Sequence, residues 1–292
     1  MAFSVTLKNP YGPCTIKELL EEHLLIPRKI RHFLRSKNHV WLNGQPVHWQ
    51  NQAEPGDILY LQFDEEDYPS KNMIMGDKNK VNCLYEDEHL IIVNKDEGMK
   101  THGNEPGEIA LLNHVSAYTG QTCYVVHRLD KETSGVLIFA KNPFILPILN
   151  RLLEEKRIAR RYLALAQGEF PSDNCIYREK IGRDRHDRRK RLVDRKNGQT
   201  AVTKVKRLNQ YKQACLLDCS LETGRTHQIR VHLAYHGHAL IGDPLYSTVA
   251  HSRLMLHAYQ ISFRHPLTLE TITAEAESDS FKTAAALFAS AN

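Results

Sequence analysis

The sequence lacks the features of a membrane-spanning, secreted or disulfide-stabilised protein. No apolar run approaches the roughly 18 residues that suggest a transmembrane helix. The first residues, Met-Ala-Phe-Ser-Val-Thr-Leu-Lys, lack the long apolar region of a signal peptide. The six cysteines include no Cys-x-x-Cys pair and no Cys/His spacing typical of a zinc finger. We therefore expect reduced, mostly buried thiols in a cytoplasmic protein that is not associated with a membrane.

Common signatures of nucleotide-binding proteins, hydrolases and metalloproteases are also absent. The chain contains no Walker loop, no dinucleotide-binding glycine fingerprint and no Gly-x-Ser-x-Gly nucleophile elbow. Among its 16 histidines, His227 and His232 are five residues apart, and neither belongs to a His-Glu-x-x-His frame. We expect no metal and no cofactor.

The bulk composition is that of an ordinary globular protein. With 292 residues, of which 41% are hydrophobic and 25% charged, the chain can bury a core without disulfides or metals. The formal net charge of +5 weakly favours a polyanionic partner, although many proteins that bind no nucleic acid have a similar charge. The distribution of charge along the chain is therefore more informative than its sum.

Residues 1–63 have the pattern of a small domain in which helices are followed by strands. A capping box that begins at Thr15 predicts the start of a first helix. The Asn43-Gly44 pair between apolar runs predicts a β-hairpin, and the alternation over residues 58–63 predicts a last strand.

The second predicted helix of this domain carries a basic face. Arg28, Arg31 and Arg35 are three and four residues apart, so their side chains share one side of the helix. Taken alone, such a pattern is typical of a solvated helix face. The order of basic helix, Asn-Gly hairpin, Gly-Asp pair and strand nevertheless resembles the S4 RNA-binding module. That resemblance implies that the helix and the hairpin contact RNA phosphates.

A larger unit follows this domain. The acidic run 64–67 begins a polar stretch without periodicity, and we interpret residues 64–80 as a solvated linker. Strands and helices alternate over residues 81–292 without a strict strand–helix repeat. This pattern favours an α+β fold in which a mixed, largely antiparallel sheet is flanked by helices.

The most informative stretch runs from His127 to Val136 and reads His-Arg-Leu-Asp-Lys-Glu-Thr-Ser-Gly-Val. Apolar residues precede and follow it, which predicts a polar loop between two strands. A loop of this kind can hold a side chain that is both exposed and accurately positioned. By composition the stretch is a charged turn. Its order of residues, however, closely resembles the catalytic signature of the RluA/RluD family of pseudouridine synthases.

Further stretches resemble motifs of this family, in the family's order and with family-like gaps. They are Arg160-Arg161-Tyr162-Leu163-Ala164, Gly198–Thr203, Thr223–Ala234, Gly237-His238, Gly242–Tyr246 and Leu256–Ala258. Arg160 keeps the positive charge where the family usually has lysine. The resemblance implies a pseudouridine synthase core, which isomerises uridine in RNA to pseudouridine.

The resemblance also implies roles for individual residues. Asp130 matches the invariant catalytic aspartate, which acts as a nucleophile or stabilises a cationic sugar while the base detaches and rejoins through C5. Tyr162 matches a tyrosine that lies against the uracil ring. Arg225 matches an arginine that pairs with the catalytic carboxylate and favours its ionised form. Arg128 is expected to enter the space that a flipped-out uridine leaves.

A second basic segment lies between two of these motifs. Residues 183–196 contain eight basic and three acidic side chains, which is a local excess of five positive charges. A charge run is ordinarily a solvated loop. Because the sign here matches an RNA backbone, we expect Arg188, Arg189 and Arg191 to contact RNA.

Together these patterns predict a monomeric RNA pseudouridine synthase whose partner is RNA, with large-subunit ribosomal RNA as the expected target. Two alternatives keep the same fold: a transfer RNA pseudouridine synthase, and an RNA-binding protein that has lost catalysis. A third alternative is a metal-dependent RNA hydrolase that uses the histidines with Asp130. It predicts chelator-sensitive chain cleavage, whereas an isomerase leaves the length of the RNA unchanged.

Overall fold

The computed structural model describes residues 3–68 and 73–290. A four-stranded sheet with short helices forms the N-terminal part, and a ten-stranded sheet flanked by helices forms the core. The architecture is α+β, as the sequence predicted. No helix among the described residues is both long and apolar enough to cross a bilayer.

The N-terminal part is built from short elements. They are β1 (Phe3–Lys8), β2 (Cys14–Thr15), α1 (Ile16–Glu18), a π-helical turn (Leu19–His23), α2 (Arg28–Ser36), β3 (Val40–Leu42), β4 (Gln45–Pro46), β5 (Gln52–Ala53) and β6 (Ile58–Phe63). The predicted capping box is present, because the side chain of Thr15 accepts from the backbone N–H of Glu18. The predicted hairpin joins β3 to β4, and both of its turn residues, Asn43 and Gly44, have a positive φ.

The core contains the longer strands and helices. They are a 3-10 turn (Lys78–Lys80), β7 (Asn82–Glu86), β8 (Leu90–Lys95), α3 (Leu111–Thr119), β9 (Tyr124–Val125), β10 (Ser134–Ala140), α4 (Ile145–Glu154), β11 (Ile158–Gln167), β12 (Asn174–Tyr177), β13 (Ile181–Arg183), β14 (Arg191–Val193), β15 (Thr203–Gln210), β16 (Ala214–Leu221), α5 (Gln228–Tyr235), β17 (Leu256–Arg264), β18 (Thr271–Glu275) and α6 (Asp279–Ser290).

The large sheet is mixed and largely antiparallel. Its strand order is β12-β15-β16-β11-β17-β10-β8-β7, with β18 also paired to β17 and β9 to β10. The contact between β10 and β17 is parallel, and the other strand pairs are antiparallel. Gly135 is required at the parallel contact, because it has φ of +118° and a Cβ there would lie 2.1 Å from the carbonyl oxygen of Ala258. The Ser-Gly pair that ends the His127–Val136 stretch is therefore a structural feature of the sheet.

Both faces of the central strands are buried. Ile92 of β8 and Val136 of β10 belong to one hydrophobic cluster, whereas their neighbours Ile91 and Leu137 belong to another. Because successive residues of a strand point to opposite faces, a strand covered on both sides reads as a continuous apolar run. This explains the apolar runs that precede and follow the polar loop.

The N-terminal part packs on one face of the core sheet. The ring centroid of Phe63, at the end of β6, lies 5.5 Å from that of Phe144, just before α4. Apolar residues of both parts therefore share one hydrophobic cluster. Leu129 and Tyr162 belong to the cluster on the opposite face.

The acidic run 64–67, part of the predicted linker, contacts the end of α2, and its residues Glu65 and Glu66 are exposed to solvent. Lys37 Nζ, at the end of α2, lies 3.0 Å from a carboxylate oxygen of Asp64 and 2.7 Å from one of Asp67. The ring of Tyr68 packs on Phe3. A lysine that is close in the fold but distant in the sequence therefore offsets part of the negative charge of this run. Residues 69–72 of the predicted linker lie outside the described residues.

All six cysteines are free thiols. Four of them, Cys14, Cys123, Cys215 and Cys219, are buried. The structure agrees with the expectation of unpaired, mostly buried thiols.

Candidate active site

Asp130 lies in the loop between β9 and β10, as predicted, and hydrogen bonds fix the residues on both sides of it. The backbone N–H and carbonyl of Leu129 both bond to the hydroxyl of Thr101, at 3.2 and 3.0 Å. On the other side, the carbonyl of Lys131 accepts from Lys95 Nζ at 3.2 Å and from the Gly98 N–H at 2.8 Å. The carboxylate is thus held on a rigid loop, where its position does not depend on its own side-chain contacts.

Arg230 of α5 binds Asp130. Its Nη1 lies 3.0 Å from Asp130 Oδ2, while its Nε and Nη2 form two parallel bonds of 2.8 Å to the carboxylate of Asp243. Burial alone disfavours the charged guanidinium, but the hydrogen bonds and charge of Asp243, together with Asp130, outweigh it and raise the pKa of Arg230. Arg230 therefore remains a cation beside the carboxylate of Asp130.

The predicted pair between Arg225 and Asp130 is wrong. Arg225 lies in the exposed loop before α5, and its Nε donates to the carbonyl of Thr200 at 3.0 Å. The loop ends at His227, so Arg230 is on the first turns of the helix, where the side chains are buried. The helix thus directs Arg230 toward the carboxylate and leaves Arg225 at the rim.

His227 is a further neighbour of Asp130. Its Nε2 lies 3.7 Å from Asp130 Oδ2, and its Nδ1 is 2.9 Å from the hydroxyl of Tyr246. The backbone of His227 has φ of +58°, a conformation that residues other than glycine rarely adopt. Burial lowers the pKa of His227 despite the charge of Asp130, so the ring is neutral at pH 7 and its contact with Asp130 is not an ion pair.

Two cavities meet at Asp130. They have volumes of about 460 and 470 Å³, and the residues common to both are Arg128, Leu129, Asp130, His227 and Arg230. The first cavity extends from Asp130 along β11 to the end of α4. The second extends across the loop before α3. The carboxylate is therefore accessible from a cleft that is large enough for more than one nucleotide-sized group.

Tyr162 lines the first cavity. It lies on β11 opposite a bulge in β17, where Tyr259 is the extra residue, while the pairing of β11 with β16 is regular. Burial raises the pKa of Tyr162, and the charge of Asp130 acts in the same direction, while Arg160 opposes it. The phenol is therefore protonated at neutral pH, so it can stack on a base or donate a hydrogen bond but cannot act as a phenolate base.

The predicted RNA-binding residues of the core lie around the cleft. Arg128 is exposed and lines both cavities. The basic segment forms a hairpin of β13 and β14, in which Arg189 lines the second cavity and pairs with Asp187. Arg188 is exposed, and Arg191 lines a smaller neighbouring cavity of about 310 Å³. These arginines surround the entrance on more than one side.

The three predicted RNA-binding arginines of α2 are not equivalent. Arg28 and Arg35 are exposed, whereas Arg31 is mostly buried and forms an ion pair with Glu21. The side chains that line the two cavities at Asp130 all come from the core. The arginines of α2 are therefore available to bind a more distant part of a polyanion, and Arg31 is the least available of the three.

The sequence comparison of motifs missed the roles of Arg230, Asp243 and His227. All three lie in the quoted stretches, but no local pattern distinguishes Arg230 from Arg225. One signal distinguishes Arg230: it is a charged residue within a run of helix positions that are all buried.

One group of three side chains in the described part of the chain has the spacing of metal ligands, and it is distant from the loop of Asp130 in the fold. It comprises His39, Asp64 and Asp67 of the N-terminal part, where the ammonium group of Lys37 already contacts both carboxylates. The histidines and Asp130 do not form the joint cluster that the metal-dependent hydrolase requires.

Comparison with known proteins identifies the family. A family model described as RNA pseudouridylate synthase matches residues 89–235. The chain belongs to the RNA pseudouridylate synthase family. A second model, the N-terminal domain of the RluD ribosomal pseudouridine synthase, matches residues 3–59, within the predicted N-terminal domain. The chain is therefore an isomerase that acts on uridine in RNA.

Individual members of the family extend this similarity. YhcT of Bacillus subtilis, named as an uncharacterized RNA pseudouridine synthase, is 39% identical over 252 residues, which cover 82% of either chain. The ribosomal large subunit pseudouridine synthase D of Neisseria meningitidis is 42% identical over 221 residues, which cover 67% of this chain and 58% of that one. The solved structure of human RNA pseudouridylate synthase domain containing 1 has a TM-score of 0.58 at 24% identity, over 70% of this chain and 86% of the other. The predicted pseudouridine synthase core fold is confirmed.

Proposed function

We propose that this pseudouridine synthase modifies uridines in large-subunit ribosomal RNA, with Asp130 as its catalytic carboxylate. The observation that carries the assignment of Asp130 is its pairing with buried Arg230 where two cavities meet. The ribosomal target is supported by the name of the Neisseria relative.

The side chains at the cleft suit the steps of the reaction. Isomerisation breaks the bond between N1 and C1′, joins C5 to C1′, releases the C5 proton and returns a proton to N1. Asp130 acts at the ribose while that bond breaks, and Arg230 holds a positive charge beside its carboxylate. Tyr162 lies against the uracil ring and holds the detached base, because an aromatic face stacks on any base.

The surrounding arginines bind and deform the RNA. Arg128 enters the space that the target uridine leaves when it flips out of its stack, a step that costs a few kcal/mol. The hairpin arginines, Arg188, Arg189 and Arg191, and the rim residue Arg225 bind the backbone near the target. Arg28, Arg31 and Arg35 bind it farther away, with Arg31 contributing least because of its ion pair.

The monomeric state and the cytoplasmic location complete the proposal. RNA is the sole macromolecular partner that these surfaces require, and transfer RNA remains the alternative substrate. An S4-like role for residues 1–63 is part of the same proposal and rests on the exposed Arg28 and Arg35.

The test is tritium release from RNA labelled at C5 of uridine. Wild-type protein and Asp130→Asn are each incubated with unmodified ribosomal RNA and transfer RNA, with and without EDTA. We expect release from ribosomal RNA by the wild type alone, unaffected by EDTA, and a loss of more than about a thousandfold in Asp130→Asn. RNA affinity should be largely preserved in the variant.

Each other result identifies an alternative. Release from transfer RNA alone would change the substrate. Binding without release from either RNA would indicate a protein that has lost catalysis. Chain cleavage that EDTA abolishes would indicate the hydrolase. Loss of RNA binding in Asp130→Asn would show that Asp130 is structural.

A further inference from the structure

A buried guanidinium in the first cavity has no counter-charge. Arg160 of β11 is only 9% exposed, and its Nε is inaccessible to solvent without any hydrogen-bond partner. The backbone of Arg160 pairs with Ile261 of β17, but no ion pair or hydrogen bond joins its side chain to another described residue. Desolvating a cation without a partner costs several kcal/mol. Such a residue either destabilises the fold or gains its missing hydrogen-bond partner when a ligand binds.

The position of Arg160 indicates the second explanation. Arg160 and Tyr162 are two residues apart on β11, so their side chains emerge on the same face of the sheet, and both line the cavity that contains Asp130. The charge of Arg160 acts on the Tyr162 phenol and on His127. The side chain of Arg160 therefore borders the site.

A glycine makes room for the guanidinium. A Cβ on Gly224 would lie 2.8 Å from Arg160 Nη1, closer than real Cβ contacts. Gly224 does not have the positive φ that favours glycine elsewhere in the chain. The space beside Gly224 is occupied by the end of the Arg160 side chain, which a methyl group there would displace.

The surroundings favour an anion. The loop from Thr223 to His227 forms the opposite wall of the same cavity and leads into the N-terminus of α5, whose dipole attracts negative charge. Glu222 also lines this wall, but it is already bound by Lys156 and Lys204 at 2.8 Å each. Arg160 is therefore a buried member of a group of lining arginines, with Arg128 and Arg225, for which no ion pair is present among the described residues, while the carboxylate of Glu154 is exposed at the end of α4.

We infer that Arg160, with the glycine loop at Gly224, forms a binding subsite for one backbone phosphate of the RNA strand that carries the target uridine. The guanidinium donates to a non-bridging phosphate oxygen, and this contact holds the nucleotide in the cavity with its base against Tyr162. A phosphate is favoured over the base because the subsite has a full positive charge and a helix N-terminus, which match a permanent anion. This inference rests on the proposed placement of the uridine at Asp130.

The experiment scans the phosphates of the substrate. The substrate is a ribosomal RNA fragment that the protein binds, and each linkage around the target uridine is replaced singly by a neutral methylphosphonate. Affinity is measured in the full-length Asp130→Asn protein, so that turnover does not interfere, and again with Arg160→Gln, Gly224→Ala or Arg157→Gln added. Arg157 is a matched control, because it is exposed and lies three residues before Arg160.

We expect one linkage at which the neutral replacement weakens binding about tenfold, as for the loss of a charge-assisted hydrogen bond. That penalty should fall below twofold when Arg160→Gln is present and should persist with Arg157→Gln. Arg160→Gln should also reduce the salt slope of binding by about 0.7, the value for one contact to a single strand. Gly224→Ala should reduce the penalty as well, which provides a second measurement if Arg160→Gln folds poorly.

The subsite would be overturned if, at every linkage, the neutral replacement weakened binding by the same factor with and without Arg160→Gln. The subsite would also be overturned if Arg160→Gln left RNA affinity unchanged in the Asp130→Asn protein but slowed turnover in the protein with Asp130 intact. That result would place Arg160 on the base. Tritium release by the wild type tests the proposed function separately. If the wild type binds RNA without releasing tritium, the function is wrong, and the linkage scan still reports whether Arg160 binds a phosphate.

Discussion

Arg230 Nη1 lies 3.0 Å from Asp130 Oδ2 across one hundred residues of sequence, and the same guanidinium is anchored on Asp243 by two bonds of 2.8 Å. Asp243 in turn accepts from the backbone N–H groups of Leu245 and Tyr246. The cation is therefore oriented before any substrate arrives. The side chain of Arg230 therefore links α5 to Asp243 and also places a positive charge beside the candidate catalytic group.

Arg230→Gln and Arg225→Gln form a matched pair of variants five residues apart. Arg230→Gln leaves the 2%-exposed Asp243 without its cation, so we expect a loss of about 3–5 kcal/mol in the free energy of unfolding. Turnover should fall at least about a hundredfold. Arg225→Gln should change stability by less than about 1 kcal/mol, because the side chain is exposed. Urea unfolding and tritium release measure both effects. An inactive Arg225→Gln beside an active Arg230→Gln would restore Arg225 as the catalytic partner.

His127 should make the fold sensitive to acid. Burial, with the Arg160 charge, lowers its pKa to about 3 from 6.5. At a pH between about 3 and 6.5, His127 is protonated in the unfolded chain but not in the folded protein. The free energy of unfolding therefore decreases as the pH falls below 6.5. From pH 7 to 5 this residue should cost about 2 kcal/mol. His127→Gln, whose amide can still accept from the Ile138 N–H, should show a shallower decline in urea unfolding. The exposed His186→Gln is the control, and an equal decline in both variants would exclude His127 as the source.

The basic face of α2 should affect RNA affinity but not chemistry. Arg28→Gln combined with Arg35→Gln should reduce the salt slope of binding by about 1 to 2 and leave single-turnover rates unchanged. Lys29→Gln, on another side of the helix, is the control for loss of charge. An unchanged slope in the double variant would count against an RNA-binding role for this helix. Deleting residues 1–63 is a poorer test, because it would expose the apolar surface that packs on the core.

Gly135→Ala should be strongly destabilising. The new methyl group would meet the carbonyl oxygen of Ala258 at 2.1 Å, in a backbone conformation with φ of +118°. We expect a loss of about 3 kcal/mol or more. Gly237→Ala is matched in its positive φ but has no neighbour within 4 Å, so it should cost only about 1 kcal/mol. Urea unfolding measures both losses. Similar losses of stability in the two variants would mean that the positive φ, and not the close contact between β10 and β17, makes glycine necessary at position 135.

Local patterns were sufficient for several features of this protein. The apolar runs around the loop of Asp130 predicted two strands, the capping box at Thr15 predicted a helix start, and Asn43-Gly44 predicted a hairpin; the structure contains all three. Each depends on interactions between residues that are close in the sequence. The order of the motifs was likewise enough to predict the family, because several long matches in order rarely occur by chance.

Only the tertiary structure decided which charges meet. Arg225 and Arg230 belong to one motif, and the choice between them depends on where α5 begins and on which side of it faces the loop of Asp130. Lys37 contacts carboxylates of the acidic run, and Nε of Arg160 has no hydrogen-bond partner. Neither feature can be read from the local sequence. Charge pairs are set by the packing of remote elements, and the energy of an ion pair depends on distance and burial, neither of which is encoded within a single stretch of sequence.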